Sequence, residues 1–254
     1  MTNLTLIEIT PDNVEQETLF CIKDLKNPAF KCKQTWFEKR YAEGLRMIAA
    51  KNESGKLLAF IEYLPATHAW RPIHAPKFMF IHCMYVYANK DKQQGLGSSL
   101  IKACEADAKA RGLAGVCVMT SKGSWITDKR IFEKNDYIKQ ESKGRFELMV
   151  KAWDRADAHL IDWTKQLDKY KGWHLLYADQ CPWHLKAVEV IKKVAKDKGI
   201  CLKVKRLESR AEIESIPSGF GTFALVRDGK LLSDHYISET RFHNILKKEL
   251  ECEF

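Results

Sequence analysis

Through the first half of the chain, blocks in which apolar and polar residues alternate give way to blocks in which apolar residues recur every three or four positions, and back again. Leu4 to Ile9 reads as a strand, Val14 to Leu25 and Lys33 to Glu43 as helices, and Arg46 to Lys51 as a second strand. Asn52-Glu53-Ser54-Gly55 has turn composition and predicts a hairpin into Lys56 to Tyr63. Phe78 to Val86 is apolar almost throughout, which suits a strand buried on both faces in the middle of a sheet. Leu100, Ile101, Cys104 and Ala108 mark one face of a helix from Ser98 to Ala110, and Gly112 and Gly115 separate it from a strand at Gly115 to Thr120. A helix at Asp128 to Lys134 and strands at Tyr137 to Glu141 and Phe146 to Lys151 complete this half.

From Trp153 to Gly172 the pattern lapses into charged residues with isolated apolar ones. This predicts a first domain of residues 1–153, a connector 154–171 and a second domain 172–254. The second reads as a strand (Trp173 to Tyr177), a helix from Pro182 to Lys198, a strand (Cys201 to Leu207), a short helix (Glu208 to Glu214), a hairpin at Asp228-Gly229 and a last helix (Glu239 to Leu250). The expected class is α/β (α+β): a mixed sheet flanked by helices, then a smaller α/β domain. The order β-α-β-α-β-β-α in the second domain resembles that of a minimal thioredoxin fold.

Composition narrows the function classes. The chain has 254 residues, 45% hydrophobic and 30% charged, with no apolar run near the roughly 18 residues that a membrane span needs. Its start has neither a basic nor an apolar leader region, so a cytoplasmic protein without a membrane partner is expected. The net charge of +9 comes from lysines spread along the chain, without an Arg-rich arm, so no nucleic-acid partner is expected; a solvated surface and an anionic ligand share the explanation. Eight cysteines lie scattered without paired metal-ligand spacing, so no metal is expected. Cys83 and Cys117 fall in apolar runs and read as core residues, Cys32 and Cys252 as exposed ones. Oligomeric state leaves no mark on the sequence.

The candidate chemistry begins at Lys92-Gln93-Gln94-Gly95-Leu96-Gly97-Ser98, between the buried strand and the amphipathic helix. The unpaired amides of a helix start, with the helix dipole, suit a diphosphate, and glycines at 95 and 97 leave the backbone open to it. A plain strand-to-helix turn would use the same glycines. The segment resembles the signature of the GNAT N-acetyltransferases, with Lys92 at the usual Arg or Gln position. Met84-Tyr85-Val86 resembles the family's strand whose splayed end pairs with pantetheine, and Ile131-Phe132-Glu133-Lys134-Asn135-Asp136-Tyr137 resembles its closing motif. The resemblance implies an acetyl-CoA-dependent acetyltransferase over about residues 4–151, with the co-substrate held by Tyr85, Val86, Lys92, Gln93, Gln94, Gly95, Leu96, Gly97, Ser98 and Phe132. Many members carry a tyrosine at the position of Phe132 that protonates the CoA thiolate; a phenyl ring cannot.

Transfer to an amine also needs a base or a water chain. Glu62, His82 and Tyr85 lie on strands that would flank the acceptor groove, although a strand carboxylate and a satisfied core histidine are the plainer readings of the first two. The loop Thr67 to His74 suits either an acceptor pocket or packing. The expected acceptor is a small-molecule or peptide amine. In the second half, Cys181 stands before Pro182 at an expected helix start, which lowers a thiol pKa, but His184 stands where a dithiol pair would need a cysteine. Gln180-Cys181-Pro182-Trp183, Ser218 to Phe223 and Arg227-Asp228-Gly229-Lys230, following a GNAT half, are similar to the YoaP-like acetyltransferases, which implies a carboxy-terminal thioredoxin-like domain. A thiol-dependent redox or acyl-CoA-sensing protein using Cys181 is the alternative.

Overall fold

The computed structural model describes residues 4–19, 22, 24–87 and 95–251. The chain runs through β1 (Thr5–Ile9), α1 (Val14–Glu17), α2 (Pro28–Ala42), β2 (Arg46–Lys51), β3 (Leu57–Pro65), the two-residue β4 (Ile73–His74) and β5 (Phe78–Val86). It continues with α3 (Leu96–Ala110), β6 (Gly115–Ser121), α4 (Arg130–Glu133), β7 (Ile138–Lys143), β8 (Phe146–Ala152) and the two-residue β9 (His159–Leu160). After a 3-10 segment at Trp163–Lys169 come β10 (Trp173–Tyr177), α5 (Trp183–Asp197), β11 (Leu202–Arg206), α6 (Arg210–Glu214), β12 (Phe223–Arg227), β13 (Lys230–Ser233) and α7 (Glu239–Glu251). Two compact units result. The first holds β1, α1, Phe37–Ala69 and Ile73–Ile161; the second holds the start of α2, Trp70–Pro72 and the chain from Asp162 on.

A seven-stranded mixed sheet in the order β1-β2-β3-β5-β6-β8-β7 forms the first unit. Every neighbouring pair is antiparallel except β5 and β6, and a parallel pair needs a crossover, which α3 supplies. The apolar run at Phe78 is therefore the middle strand that its composition predicts. One face of the sheet, with Ile61, Tyr63, Met79, Ile81, Met84, Val116 and Val118, packs against Leu100, Ile101, Cys104 and Ala108 of α3. Burial pushes the thiols of Cys104 and Cys117 well above their ordinary value, so both are inert packing groups.

Gly115 opens β6 where no side chain fits: an added Cβ would stand 2.5 Å from the carbonyl oxygen of Lys151 and 2.5 Å from the Phe78 ring. Gly115→Ala should cost about 2 kcal/mol through overpacking, read as a lower urea midpoint at unchanged slope. An unchanged midpoint would mean that the two strands part without cost.

Two helix boundaries differ from expectation. The helix expected from Val14 to Leu25 is a single turn, because Thr18 turns to φ 65°, where a β-branched residue cannot continue a helix. The second helix starts at Pro28, before the expected Lys33: proline is preset for the first helical position, and the Asn27 side chain accepts the Ala29 N–H at 2.9 Å. Within the stretch expected as connector, β9 pairs with β4, and Asp162 caps the 3-10 segment by accepting the Thr164 N–H.

The second unit has a four-stranded sheet in the order β11-β10-β12-β13, with β10 and β11 parallel and the other pairs antiparallel. Asp228 (φ 44°) and Gly229 (φ 76°) form the two-residue hairpin turn that Asp-Gly favours. Val188, Ile191 and Val194 of α5 and Phe242 and Leu246 of α7 are buried, with Phe242 edge-on to Trp173 at 6.3 Å. Among the described residues no helix is long and apolar enough to cross a membrane.

Candidate active site

The central strands separate within the sheet. β5 and β6 pair only from Phe78↔Gly115 to Ile81↔Val118. Beyond that point β5 runs on to Val86 beside β3, and β6 runs on to Ser121 beside β8. A wedge opens between them. Its origin is a β-bulge: Glu62 pairs with Cys83 and Tyr63 with Ile81, so His82 is the extra residue in the register. A bulge bends its strand and strengthens the local twist, and here the bend coincides with the loss of pairing to β6.

The first turn of α3 borders the wedge. Gly95 precedes it at φ 79°, and among the described residues nothing lies within 4 Å of where its Cβ would be, so no described side chain covers the backbone there. The first-turn amides have no acceptor inside the helix. Gly97 has a different reason to be glycine: a Cβ would stand 2.4 Å from Ile131 Cδ1 and 3.8 Å from Met84 Cε. Its missing side chain lets α4 pack against the helix start, so its role is not only access for a ligand. Asn135, a member of the closing motif given no role by the sequence, ties these parts together by donating from Nδ2 to Ser98 Oγ (3.0 Å) and to the Ile131 carbonyl (2.7 Å). Lys92, Gln93 and Gln94 lie outside the described residues. Tyr85 is half exposed at the end of β5, edge-on to Tyr87, and Val86 packs against the α3 side.

Glu62 and His82, named separately by their positions on strands, are brought together. Glu62 lies on the sheet face away from α3, and the bulge turns His82 toward it, with Nδ1 3.4 Å from Glu62 Oε1. Both side chains are buried, with the Phe80 ring edge-on to the imidazole at 5.4 Å. A carboxylate and an imidazole paired away from water can exchange a proton, which isolated core residues of either type cannot.

Residues 13–123 match the Acetyltransferase (GNAT) family. The uncharacterized N-acetyltransferase YoaP of Bacillus subtilis is 32% identical over 248 residues, covering 94% of this chain and 97% of that protein. The chain belongs to the GNAT acetyltransferase family. As a GNAT enzyme it is an acetyl-CoA-dependent N-acetyltransferase. A second relative, the L-methionine sulfoximine/L-methionine sulfone acetyltransferase of Pseudomonas aeruginosa, is 30% identical over 81 residues, 32% of this chain and 44% of that protein. Among solved structures, an N-acetyltransferase from Staphylococcus aureus Mu50 aligns at 13% identity and a TM-score of 0.42, covering 60% of this chain and 99% of that one.

Within this GNAT unit Phe132 is wholly buried, edge-on to Tyr137 at 5.4 Å. Burial, with the Glu105 carboxylate adding to it, holds the Tyr137 hydroxyl far above its ordinary pKa, so it keeps its proton and is a poor acid. Asp136 adopts φ 66°, the left-handed turn that aspartate tolerates.

The loop expected either to line an acceptor pocket or to pack is divided. Trp70 and Arg71 are buried in the second unit, where Trp70 meets Trp36 edge-on at 5.4 Å, whereas His74 stacks on His159 in the first. Cys181 belongs to the second unit, half-buried ahead of α5, its carbonyl accepting the His184 N–H at 3.0 Å. His184 does not face solvent. It is buried with Nδ1 2.9 Å from the Ala178 carbonyl, and burial drives its pKa down to about 3, so at neutral pH it carries no charge to stabilise a thiolate. Cys32, expected to be exposed, is half-buried, and burial followed by the Asp179 carboxylate raises its thiol pKa. Cys252 lies outside the described residues.

Proposed function

We propose that the enzyme transfers the acetyl group of acetyl-CoA to the amino group of a small molecule or peptide by direct attack, with the co-substrate in the wedge between β5 and β6. The wedge is the observation that carries the reading, because it exposes strand main chain beside an open helix start, the two things that an acyl-pantetheine diphosphate requires. The diphosphate sits on the amides from Gly95 to Ser98, with Lys92, Gln93 and Gln94 as further ligands. The pantetheine runs along Tyr85 and Val86. An amine attacks only as the free base, and the Glu62–His82 pair takes its proton. The Pseudomonas relative acts on methionine sulfoximine and methionine sulfone, so small amino acids are the first acceptors to screen.

We read residues 172–254 as a thioredoxin-like domain used for binding. The strand order β11-β10-β12-β13 supports this, and the missing second cysteine removes disulfide exchange through a dithiol pair. The free thiols among the described cysteines fit a cytoplasmic setting.

The co-substrate site is tested by titration calorimetry with acetyl-CoA on a matched pair of variants. Asparagine and aspartate both tolerate the left-handed backbone of Gly95 and have nearly the same shape. Gly95→Asn should bind within about threefold of the parent, and Gly95→Asp at least tenfold more weakly, a difference of about 1.4 kcal/mol from charge alone. Equal binding by the two variants would move the diphosphate elsewhere.

A further inference from the structure

We propose that the hydroxyl of Thr127 donates a hydrogen bond to the CoA sulfur as it departs. The proposal deepens the acetyl-transfer reading and rests on it. When the amine nitrogen bonds to the thioester carbon, the carbon–sulfur bond breaks with both electrons on sulfur. The proton of the attacking amine goes to the Glu62–His82 pair, and solvent later protonates the released thiolate. The anion forms beside Met84, Leu96 and Phe132, which are apolar and buried. An anion there without a donor is costly, and a positioned donor stabilises it as it develops.

The obvious donors are absent or engaged elsewhere. Phe132 has no hydroxyl, and the Tyr137 hydroxyl is buried beside Cys104 and Glu105, about two turns along α3 from the helix start. Ser121 Oγ is held toward the Gly123 N–H (3.1 Å) and Arg145 Nη1 (2.9 Å), and Thr120 Oγ1 points to the Glu147 carbonyl on β8 (3.4 Å), so both hydroxyls are directed away from β5. Thr127 differs from these in reaching across the wedge. Its carbonyl accepts the Ser121 N–H at 3.3 Å, which anchors it to the end of β6, while its Oγ1 donates to the Met84 carbonyl on β5 at 3.4 Å. That distance is long for a hydroxyl donor. The bond is weak, and the hydroxyl is free to turn to a stronger acceptor. A thiolate is one, since bonds to charged acceptors are about twice as strong as neutral ones. Thr127 keeps its proton throughout; it is a donor to the leaving sulfur, not a general acid.

The readout is the thiol pKa of bound coenzyme A, taken from its ultraviolet thiolate absorbance with desulfo-coenzyme A as the sulfur-free blank. This needs no acceptor, and a purely structural role for Thr127 would not move it. In the parent, the bound thiol should titrate about one unit below free coenzyme A, because a hydrogen bond to the charged form favours it. Thr127→Val, nearly the same shape, should return it to the free value with coenzyme A affinity within about twofold, and Thr127→Ser should restore the shift. Acetyl transfer to an amine that the parent accepts should slow about tenfold in Thr127→Val and recover in Thr127→Ser. An unshifted thiol in the parent, or a shift that survives Thr127→Val, overturns the proposal and leaves the acetyl-transfer reading standing. A loss of coenzyme A affinity in Thr127→Val also overturns it, since the hydroxyl would then be holding the strand. Failure of the parent to bind coenzyme A at all removes the acetyl-transfer reading itself.

Discussion

Glu62→Gln should lower turnover by at least about a hundredfold while the KM for acetyl-CoA stays within about twofold. A positioned base commonly contributes 10²–10⁴-fold, and glutamine keeps the size and one acceptor of the carboxylate while losing its basicity. The split between kcat and KM follows from placement: Glu62 lies on the sheet face opposite the one that packs on α3, and the first turn of α3 is the proposed diphosphate site. If Glu62 and His82 act as one unit, His82→Asn should cost a similar factor and the double variant little more, because residues in one network do not lose activity additively. Stopped-assay kinetics on the three variants decides it. Losses that multiply would make the two residues independent, and unchanged turnover in Glu62→Gln would place the base elsewhere.

Acidification should weaken the fold through His184. Burial is the main cause of its depressed pKa of about 3, with the charges of Arg71, Lys33 and His235 adding to it and the bond to Ala178 opposing. The unfolded chain has a histidine near 6.5. Below that value the unfolded state takes up a proton that the folded state refuses, so stability falls as pH drops from about 6.5 toward 3 and is unaffected above 7. The loss by pH 5 is about 2 kcal/mol. His184→Gln keeps a donor for the Ala178 carbonyl but does not titrate, so between pH 7.5 and 5 it should lose about 2 kcal/mol less than the parent in denaturant unfolding. Equal losses would mean that the folded state admits the proton.

Much of this was legible in the chain, for identifiable reasons. Phe78–Val86 and Trp173–Tyr177 have the bounds their apolar runs imply, and Asp228-Gly229 forms its hairpin because few other pairs take two left-handed residues in succession. Val14 to Leu25 looked helical because its apolar spacing carries no information on the φ of Thr18. Asn27-Pro28 was a readable start signal that the weak apolar pattern of α2 obscured. The site was legible as parts. Glu62 and His82 could each be named from a strand, but their meeting depends on a bulge, and nothing in Ile81-His82-Cys83 says which residue is the extra one. Thr127 was hidden for a similar reason, since it matters only because a loop after β6 folds back to β5. The grouping of Trp70–Pro72 with the second unit is a long-range effect with no local signature.

The bulge is a single extra residue in an otherwise regular strand. With His82 left out, Ile81, Cys83, Met84, Tyr85 and Val86 alternate between the two faces of the sheet as any regular strand does, with Ile81, Met84 and Val86 on the α3 side. The strand thus has the form of an ordinary one that gained a single residue, and the gain left every flanking residue facing as before. One insertion therefore accounts for both halves of the site: it bends β5 away from β6, and the added residue is itself the histidine that meets Glu62. Deleting His82 is accordingly not a stronger form of replacing it. Replacement removes an imidazole, whereas deletion would give β5 back its regular pairing and close the ground on which an acyl group could lie.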